Sequence, residues 1–271
     1  MAQKIIFTDL DGTLLNYEDY SFEAALPALT RIREKRIPLV ICSSKTRKEI
    51  EYYRKKLGND HPFISENGGG IFIPQTYFDF SVDSSRHPVL QENGYRTIML
   101  GAPYAELRKA IQELREEGFP VRGFGDISIE ELCGIASLSS EEAAMAKERD
   151  FDEPFLYDGP GHELPRLLKR IREKGFKFTE GRFLHILGNS NKGLAISILI
   201  DLYKKAYGAV ETIALGDSPN DLPMLSIVGH PVLVKKPDGT HDPRIMVRNL
   251  IKAEGVGPEG WNEAVMHFIS P

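Results

Sequence analysis

The chain has 271 residues, which suits one large domain or two modest ones, and its 41% hydrophobic and 27% charged residues are typical of a globular protein. A net charge of −5, without a basic block, argues against binding to nucleic acid or to an anionic membrane surface. We therefore expect a bound anion to be held locally, by a metal ion or by a few placed cations.

The cysteines and the first residues bear on the cellular compartment. Cys42 lies in the apolar segment PLVIC, which favours a buried position, and two cysteines suggest neither a disulfide framework nor a zinc site. The first residues lack the apolar region of a signal peptide, and no apolar run approaches the roughly 18 residues needed to cross a bilayer. We expect a cytoplasmic protein, monomeric or homodimeric, that acts on a small molecule.

Strands and helices alternate in the first part of the chain. The predicted order is a strand in KIIFTD, a helix in SFEAALPALTRIREKR, a strand in IPLVIC, a helix in TRKEIEYYRKKLG, a strand in PFIS and a hairpin strand in NGGGIFIP. This alternation of near-continuous apolar strands with helices predicts an α/β fold. The sheet should be doubly wound and mainly parallel, a Rossmann-like core with helices on both faces.

The same pattern returns near the C-terminus. A helix is predicted in NKGLAISILIDLYKKAYG, a strand in TIALGD, a helix in NDLPMLSIVG, a strand in HPVLV and a last helix in GPEGWNEAVMHFIS. The intervening strands and helices predict a separate α+β unit. We therefore predict a core domain of residues 1–80 and 189–271 with an inserted α+β cap domain of residues 81–188. Hinges are expected at residues 81–85 and 188–190.

Polar residues follow every predicted core strand. Asp9 and Asp11 end the first strand, CSSKT the second, SENGG the third, and Asp217 the later one, with Asn220 close behind. Ligands of an open parallel sheet bind beyond the carboxyl ends of its strands. Each residue alone also suits a turn or a helix cap, as Asp217 and Asn220 do before the next helix. Four such strand ends together favour a reaction site.

The spacing in DLDGT has a physical meaning. Residues i and i+2 on extended backbone point to the same side, so Asp9 and Asp11 crowd one place, and Gly12 lets the chain leave it by a tight turn. Two carboxylates that close are unfavourable unless a cation lies between them or one is protonated. Together with Asp217 they offer three oxygen donors, which suit Mg²⁺.

These residues also carry a family resemblance. The segment DLDGTLL, a serine after the second strand, NKG and GDSPND, in that order, resemble the four motifs of the haloacid dehalogenase-like phosphatases. The resemblance spans the whole core, and the position of the inserted unit is similar to that of the α/β cap in the members that act on sugar phosphates. The family often has threonine in the second motif; this chain has Ser43 followed by Ser44, and either hydroxyl fits that role.

The resemblance implies a mechanism. Asp9 would attack phosphorus and form an aspartyl phosphate, and Asp11 would protonate the leaving oxygen and then activate water. Lys192 and Ser43 would hold the phosphate oxygens. The residues that would hold Mg²⁺ are Asp9, Asp11 through its backbone carbonyl, and Asp217, with Asn220 and Asp221 around them.

Secondary motifs point to a substrate. SSKTRKEIE, ENGGG, GFGD, FDEPF and GRFLH resemble the subgroup that hydrolyses mannosyl-3-phosphoglycerate to phosphate and mannosylglycerate, a compatible solute. Candidate contacts to the sugar, the glycerate and its carboxylate are Asn67, Gly68, Arg182, His185, Asp126, Glu153, Lys45 and Arg47. Each also has an ordinary structural reading: a surface ion pair for Arg182, an interior histidine for His185, a helix N-cap for Asp126.

Three further functions fit the same core. In the first, the phosphatase acts instead on glucosyl-3-phosphoglycerate, sucrose phosphate or another sugar phosphate. A sugar phosphomutase would return the phosphoryl group to a sugar rather than to water. A phosphoester-binding sensor would need no pair of acids such as Asp9 and Asp11, so the sequence favours an enzyme.

Overall fold

A computed structural model describes residues 2–82 and 86–269. The strands are β1 (Gln3–Thr8), β2 (Leu39–Cys42), β3 (Phe63–Ser65), β4 (Gly70–Pro74), β5 (Val89–Glu92), β6 (Tyr95–Met99), β7 (Val121–Gly123), β8 (Asp152–Tyr157), β9 (Lys177–Glu180), β10 (Leu184–Leu187), β11 (Val210–Gly216), β12 (His230–Lys235) and β13 (Ile251–Val256). The helices are α1 (Leu26–Glu34), α2 (Arg47–Leu57), α3 (Tyr104–Glu116), α4 (Ile129–Ala136), α5 (Ser140–Ala146), α6 (Leu164–Glu173), α7 (Lys192–Tyr207), α8 (Leu222–Leu225) and α9 (Pro258–Ile269).

Nine of these strands form one large sheet in the order β13-β12-β11-β1-β2-β3-β4-β6-β5. Pairing is parallel from β13 to β3 and antiparallel from β3 to β5. The predicted mainly parallel α/β sheet is thus confirmed. β1 lies in its middle, and side chains on both of its faces are buried: Ile6 packs in one cluster with Trp261, whereas Ile5 and Phe7 pack in another with Tyr203.

The other four strands form a smaller antiparallel sheet in the order β7-β8-β10-β9. α3 and α6 cover one face, with Leu107, Phe155 and Ile186 in their shared core. α4 and α5 form a second small cluster with Phe124, which Tyr20 joins from the large sheet's side. The helices α4 and α5 therefore lie between the smaller sheet and the rim where β1 ends.

The first predicted crossing into the cap is displaced. Residues 89–99, which the sequence placed in the inserted unit, form the hairpin β5–β6 and pair with β4 at the edge of the large sheet. The chain leaves that sheet between Met99 and Tyr104 and returns between β10 and α7. Residues 83–85 of the first predicted hinge lie outside the described residues. The pattern of RTIML fits an antiparallel edge of either sheet, so the sequence alone could not assign it.

Two further details differ from the sequence analysis. β13 was not predicted because the segment IKAEGV has no apolar run. It pairs in parallel with β12 at the edge of the large sheet, and only one of its six residues, Ala253, is buried. The predicted helix in NDLPMLSIVG is reduced to a 3-10 turn followed by α8. Within the described residues, no helix is both long and apolar enough to cross a membrane.

Candidate active site

Asp9 follows β1 directly and is 5% exposed. Its backbone N–H donates to Leu215 O at 3.0 Å, which continues the ladder to β11. Its carbonyl accepts from Thr8 Oγ1 at 2.7 Å, and that hydroxyl accepts from Trp261 Nε1 of α9 at 3.0 Å. The backbone at Asp9 is therefore held on two sides by buried hydrogen bonds.

Lys192, the first residue of α7, reaches Asp9 from the opposite part of the chain. Its Nζ lies 2.6 Å from Asp9 Oδ1 and 2.6 Å from Asp221 Oδ1, and its side chain is fully buried. Burial alone would lower the pKa of Lys192, but the carboxylates of Asp221 and Asp9 raise it above its ordinary value. The lysine is therefore charged, and the two carboxylates hold it in place.

The start of α7 packs against a glycine in the turn between β3 and β4. Gly68 has φ +93°, and a Cβ there would lie 2.2 Å from Asn191 O. Asn191 in turn caps α7, because its Oδ1 accepts from Leu194 N at 2.9 Å. Gly68, predicted to contact substrate, instead lets two backbone segments approach closely, and this approach places Lys192.

Asp217 ends β11 beside the DLDG turn. Its Oδ1 accepts from Thr13 Oγ1 at 3.3 Å and its Oδ2 from Ser218 Oγ at 2.7 Å. Gly12, at φ +74°, would place a Cβ 3.1 Å from Asp217 Oδ2. Asp221 Oδ2 accepts from the N–H groups of Asp217 and Ser218 at 3.0 and 3.1 Å, so both of its oxygens are committed.

Carboxylate oxygens of Asp9, Asp217 and Asp221 lie within 4.8 Å of one another. Burial, followed by the neighbouring carboxylates, raises the pKa of Asp217 to about 7, and burial raises the pKa of Asp9 well above its usual range. Asn220 Oδ1 is buried and has no hydrogen-bond partner among the described residues. Buried oxygen donors that repel one another fit a hard divalent cation such as Mg²⁺.

The side chain of Asp11 does not belong to this acidic group. Asp11 Oδ1 lies 3.1 Å from Lys45 Nζ, which is also 3.4 Å from Glu49 Oε1 and 4.8 Å from the centre of the Tyr20 ring. Burial would lower the pKa of Lys45, but Asp11 and Glu49 raise it, so the lysine is charged. The predicted metal contact through the Asp11 backbone carbonyl stays a prediction, whereas Asp221 joins the acidic group.

A cavity lies between this rim and the smaller sheet. Asp9, Asp11 and Lys45 line it from the core, and Arg149, Arg182 and His185 from the cap. Three of its cations differ in their partners. Lys45 contacts Asp11 and Glu49, as above. Arg149 donates to Asp152 Oδ1 at 3.3 Å and to Ser44 O at 3.2 Å.

Arg182 contacts neutral groups. Its guanidinium donates to Tyr20 OH at 2.9 Å and to Ser137 Oγ at 3.4 Å, and lies 5.1 Å from the centre of the Tyr17 ring. No carboxylate of residues 2–82 or 86–269 forms an ion pair with it. Arg182 therefore brings a positive charge to the cavity that no acidic side chain of the described chain balances.

His185 lies in β10, three residues after Arg182. Its Nδ1 is 2.7 Å from Asp152 Oδ1, and both side chains are buried. Burial alone would raise the pKa of Asp152, but His185, Arg149 and Asn67 together lower it below its usual range. Because the carboxylate accepts and does not donate, Nδ1 carries the proton and Nε2 is the free nitrogen of the ring.

Three residues predicted to contact substrate do not line this cavity, and the structure gives each of them other neighbours. Arg47 lies 6.0 Å from the centre of the Phe72 ring, at a second cavity. Asp126 accepts from Gly123 N at 2.9 Å and pairs with Arg108 and Arg115; it does not cap α4, whose N-cap is Ser128. Glu153 accepts from Arg108 and Tyr104 at 2.7 and 2.8 Å.

Two other predicted residues lie behind the cavity wall. Ser43 is fully buried, and its Oγ accepts from Lys45 N at 3.3 Å, whereas Ser44 lines the cavity. Asn67 is 2% exposed and donates to Asp152 Oδ2 at 2.6 Å. Neither Asn67 nor Ser43 lines the cavity, and the predicted phosphate contact of Ser43 or Ser44 stays a prediction.

Sequence reasoning missed Asp152. From the motif FDEPF, we predict the second acid, Glu153, as a substrate contact and do not single out the first, Asp152. Successive side chains of a strand point to opposite faces, so in β8 Asp152 faces His185 while Glu153 faces α3. The sequence alternation alone puts Asp152 and Glu153 on opposite faces, but only the register of β8 with β10 shows which of them shares a face with His185: Leu187 pairs with Asp152 and Ile186 with Glu153.

The chain is similar to known proteins over most of its length. The model of the haloacid dehalogenase-like hydrolase family matches residues 6–85 and 162–238. The chain is 43% identical over 267 residues to a glucosyl-3-phosphoglycerate/mannosyl-3-phosphoglycerate phosphatase of Methanococcoides burtonii, covering 98% of this chain and 97% of the relative. It is 40% identical to a mannosyl-3-phosphoglycerate phosphatase of Pyrococcus furiosus, over 85% of this chain and 90% of the relative.

Solved structures share the fold at low sequence identity. A crystal structure of a Thermoplasma acidophilum protein superposes with a TM-score of 0.69 at 17% identity, covering 99% of both chains. At this identity the likeness concerns the fold alone, including the large mainly parallel sheet and the additional antiparallel sheet.

Proposed function

The chain belongs to the haloacid dehalogenase-like hydrolase family and is a phosphoric monoester hydrolase; we propose that it is a Mg²⁺-dependent phosphatase that releases phosphate from mannosyl-3-phosphoglycerate to give mannosylglycerate. The observation that carries the proposal is the buried contact of Lys192 with Asp9 and Asp221, next to Asp217. The name of the M. burtonii relative favours the glucosyl ester as a second substrate.

The chemistry proceeds in two steps at Asp9. A carboxylate oxygen of Asp9 attacks phosphorus, the bond to the substrate oxygen breaks, and Asp11 gives its proton to that oxygen. Water then attacks the phosphorus of the aspartyl phosphate, Asp11 takes up a proton, and the bond to Asp9 breaks. The 28% exposure of the Asp11 side chain, against 7% for Asp9, supports this division, because the acid must reach both a leaving group and a water.

Fixed positive charge makes the attack possible. Lys192 stays charged between Asp9 and Asp221, and it neutralises charge that builds up on the phosphoryl oxygens. Asp9 and Asp217 would hold Mg²⁺, with Asp221 orienting the loop and Asn220 beside it. When bound, the ion supplies charge neutralisation for an anionic nucleophile that meets an anionic substrate. Ser44, with Ser43 behind it, is the hydroxyl candidate for a phosphoryl oxygen.

Arg182 supports a substrate with a second anionic group. A phosphoglycerate ester carries a carboxylate in addition to its phosphate, and a simple sugar phosphate does not. Lys45 and Arg149 are already paired with carboxylates, but Arg182 is held by Tyr20 OH and Ser137 Oγ. A guanidinium presented by neutral groups is suited to a bidentate contact with a carboxylate. His185 Nε2, the free nitrogen of the ring, can accept a hydrogen bond from a substrate hydroxyl.

The test is phosphate release from four esters with and without Mg²⁺: mannosyl-3-phosphoglycerate, glucosyl-3-phosphoglycerate, sucrose phosphate and mannose 6-phosphate. We expect metal-dependent release that is fastest with the two phosphoglycerate esters. In Arg182→Met, kcat/KM for these esters should fall on the order of 10²-fold, while that for mannose 6-phosphate should change little. Equal rates for all four esters would contradict the substrate proposal and leave the phosphatase chemistry in place.

A further inference from the structure

The side chain of Asn67 lies between two parts of the site that belong to different domains. Asn67 Nδ2 donates to Asp152 Oδ2 at 2.6 Å on the cap side. Its Oδ1 accepts from Asn220 Nδ2 at 3.1 Å on the core side. All three side chains are at least nine-tenths buried. Asn67 therefore connects the segment around Asp152 with the loop that carries Asp217.

Backbone contacts hold the main chain of Asn67 in place, in addition to the two hydrogen bonds of its amide. Glu66 and Asn67 both have positive φ, of 49° and 54°, which is uncommon for two successive residues other than glycine. The buried carboxylate of Glu66 accepts the N–H groups of Phe151 at 2.7 Å and of Asp152 at 2.9 Å. Asn67 N donates to Ser43 O at 3.0 Å. The backbone on both sides of the Asn67–Asp152 hydrogen bond is thus held in place.

The charge of Asp152 determines the orientation of both amides in the row Asp152–Asn67–Asn220. Asp152 is ionised and accepts hydrogen bonds only, so Asn67 must turn its Nδ2 toward it. The Oδ1 of Asn67 then faces Asn220 and can only accept, so Asn220 donates from its Nδ2. The remaining oxygen, Asn220 Oδ1, is the buried acceptor without a partner described above, on a residue of the cavity wall. The carboxylate of Asp152 in the cap thereby determines which end of the Asn220 amide in the core is left without a partner.

We propose that Asn67 is a positioning residue, through which Asp152 of the cap turns Asn220 so that its oxygen faces the metal site beside Asp217. The amide oxygen is a suitable acceptor for a cation or for its bound water, whereas an amide NH₂ in its place would repel one. The proposal replaces the predicted contact of Asn67 with substrate. It rests on the proposed function only in taking the acidic group as a Mg²⁺ site.

The first experiment measures Mg²⁺ affinity by calorimetry on the metal-free protein, without substrate. Asn67→Gly removes the amide and tolerates the positive φ. We expect a loss of affinity of about tenfold or more, the scale found for residues that orient metal ligands. Asn249→Gly is the matched control: Asn249 is exposed, has φ +59°, and should bind Mg²⁺ as the unaltered protein does.

The second experiment tests the path through Asp152. Asp152→Asn replaces an acceptor with a group that can also donate, so Asn67 is no longer forced into one orientation. We expect Asp152→Asn to weaken Mg²⁺ binding, and Asn67→Gly in the same chain to weaken it little further, because both act through one line. Unchanged affinity in Asn67→Gly, or losses that add in the double variant, would overturn the proposal. Because no substrate is present, either result is independent of which ester the enzyme hydrolyses.

Discussion

The core rim and the cap wall of the cavity balance their charges differently. At the rim, Lys192 is fully buried, and both of its carboxylate partners lie at 2.6 Å. At the wall, Arg182 is partly exposed, and its hydrogen-bond partners are the hydroxyls of Tyr20 and Ser137. The cation at the rim is fully paired without substrate, whereas the cation at the wall has no carboxylate partner among the described residues. From this difference we expect the chemical steps at the rim and the choice of substrate at the wall.

The largest expected effect is the removal of the proposed nucleophile, Asp9. Asp9→Asn keeps the shape of the side chain, and Lys192 keeps Asp221 as a partner. We expect phosphate release to fall by roughly 10⁴-fold or more, the scale lost when a covalent nucleophile is deleted, with the fold intact. Phosphate release and circular dichroism on the same preparation check this. Activity within tenfold of the unaltered enzyme would place the nucleophile elsewhere.

The second prediction compares stabilities at the two surfaces. Lys192→Met leaves the buried carboxylates of Asp9 and Asp221 without their cation, which should lower the free energy of unfolding by about 3–5 kcal/mol. Arg182→Met removes a partly exposed cation with neutral partners, and its effect should stay below about 1 kcal/mol. Urea unfolding with a chelator present measures both. Equal losses would mean that the two surfaces do not differ as described.

The third prediction concerns pH and Asp152. Its pKa in the folded state is lowered by His185, Arg149 and Asn67 despite burial, so its ionised form stabilises the fold. That stabilisation is present above the unfolded pKa of about 3.9 and is lost as pH falls through the folded value. Asp152→Asn should therefore lower the free energy of unfolding by about 2 kcal/mol at neutral pH, and the difference should shrink below about pH 4. A difference that is constant with pH would contradict this.

The last prediction concerns the stabilisation by Mg²⁺. Without metal, the raised pKa of Asp217, about 7, means that the folded protein loses stability as pH rises from the unfolded pKa through this value. Protons compete with the cation for the same carboxylate. At a concentration of about 30 times the dissociation constant, Mg²⁺ should add about 2 kcal/mol at pH 8 and clearly less at pH 6. Thermal unfolding at the two pH values checks the difference; a larger gain at pH 6 would contradict the assignment of Asp217.

The sequence predicted the rim better than the wall. Asp9, Asp217 and Lys192 lie at the starts and ends of core elements, where a parallel sheet allows one arrangement, and the structure brings them together. The wall depends on which face of a cap strand each residue occupies. Short strands such as β8 carry too little periodicity to decide between Asp152 and Glu153.

The cap boundary failed for a related reason. The hairpin β5–β6 is amphipathic enough to end either sheet, and only its pairing with β4 assigns it to the core. Arg47, Asp126 and Glu153 were selected by their charge, but each is held by neighbours that the sequence places far away or on another face. Local pattern determines the element, whereas these contacts depend on tertiary packing.

The most direct test of the account is a search for the phosphoryl group on Asp9. The enzyme is mixed with mannosyl-3-phosphoglycerate and Mg²⁺, quenched in acid during turnover, digested, and analysed by mass spectrometry, with Asp9→Asn as the control. The account predicts a phosphorylated peptide that spans Asp9 and is absent from the variant. Turnover with no phosphoryl group on that peptide, or with one on a different residue, would contradict the central claim that the end of β1 is the reaction centre.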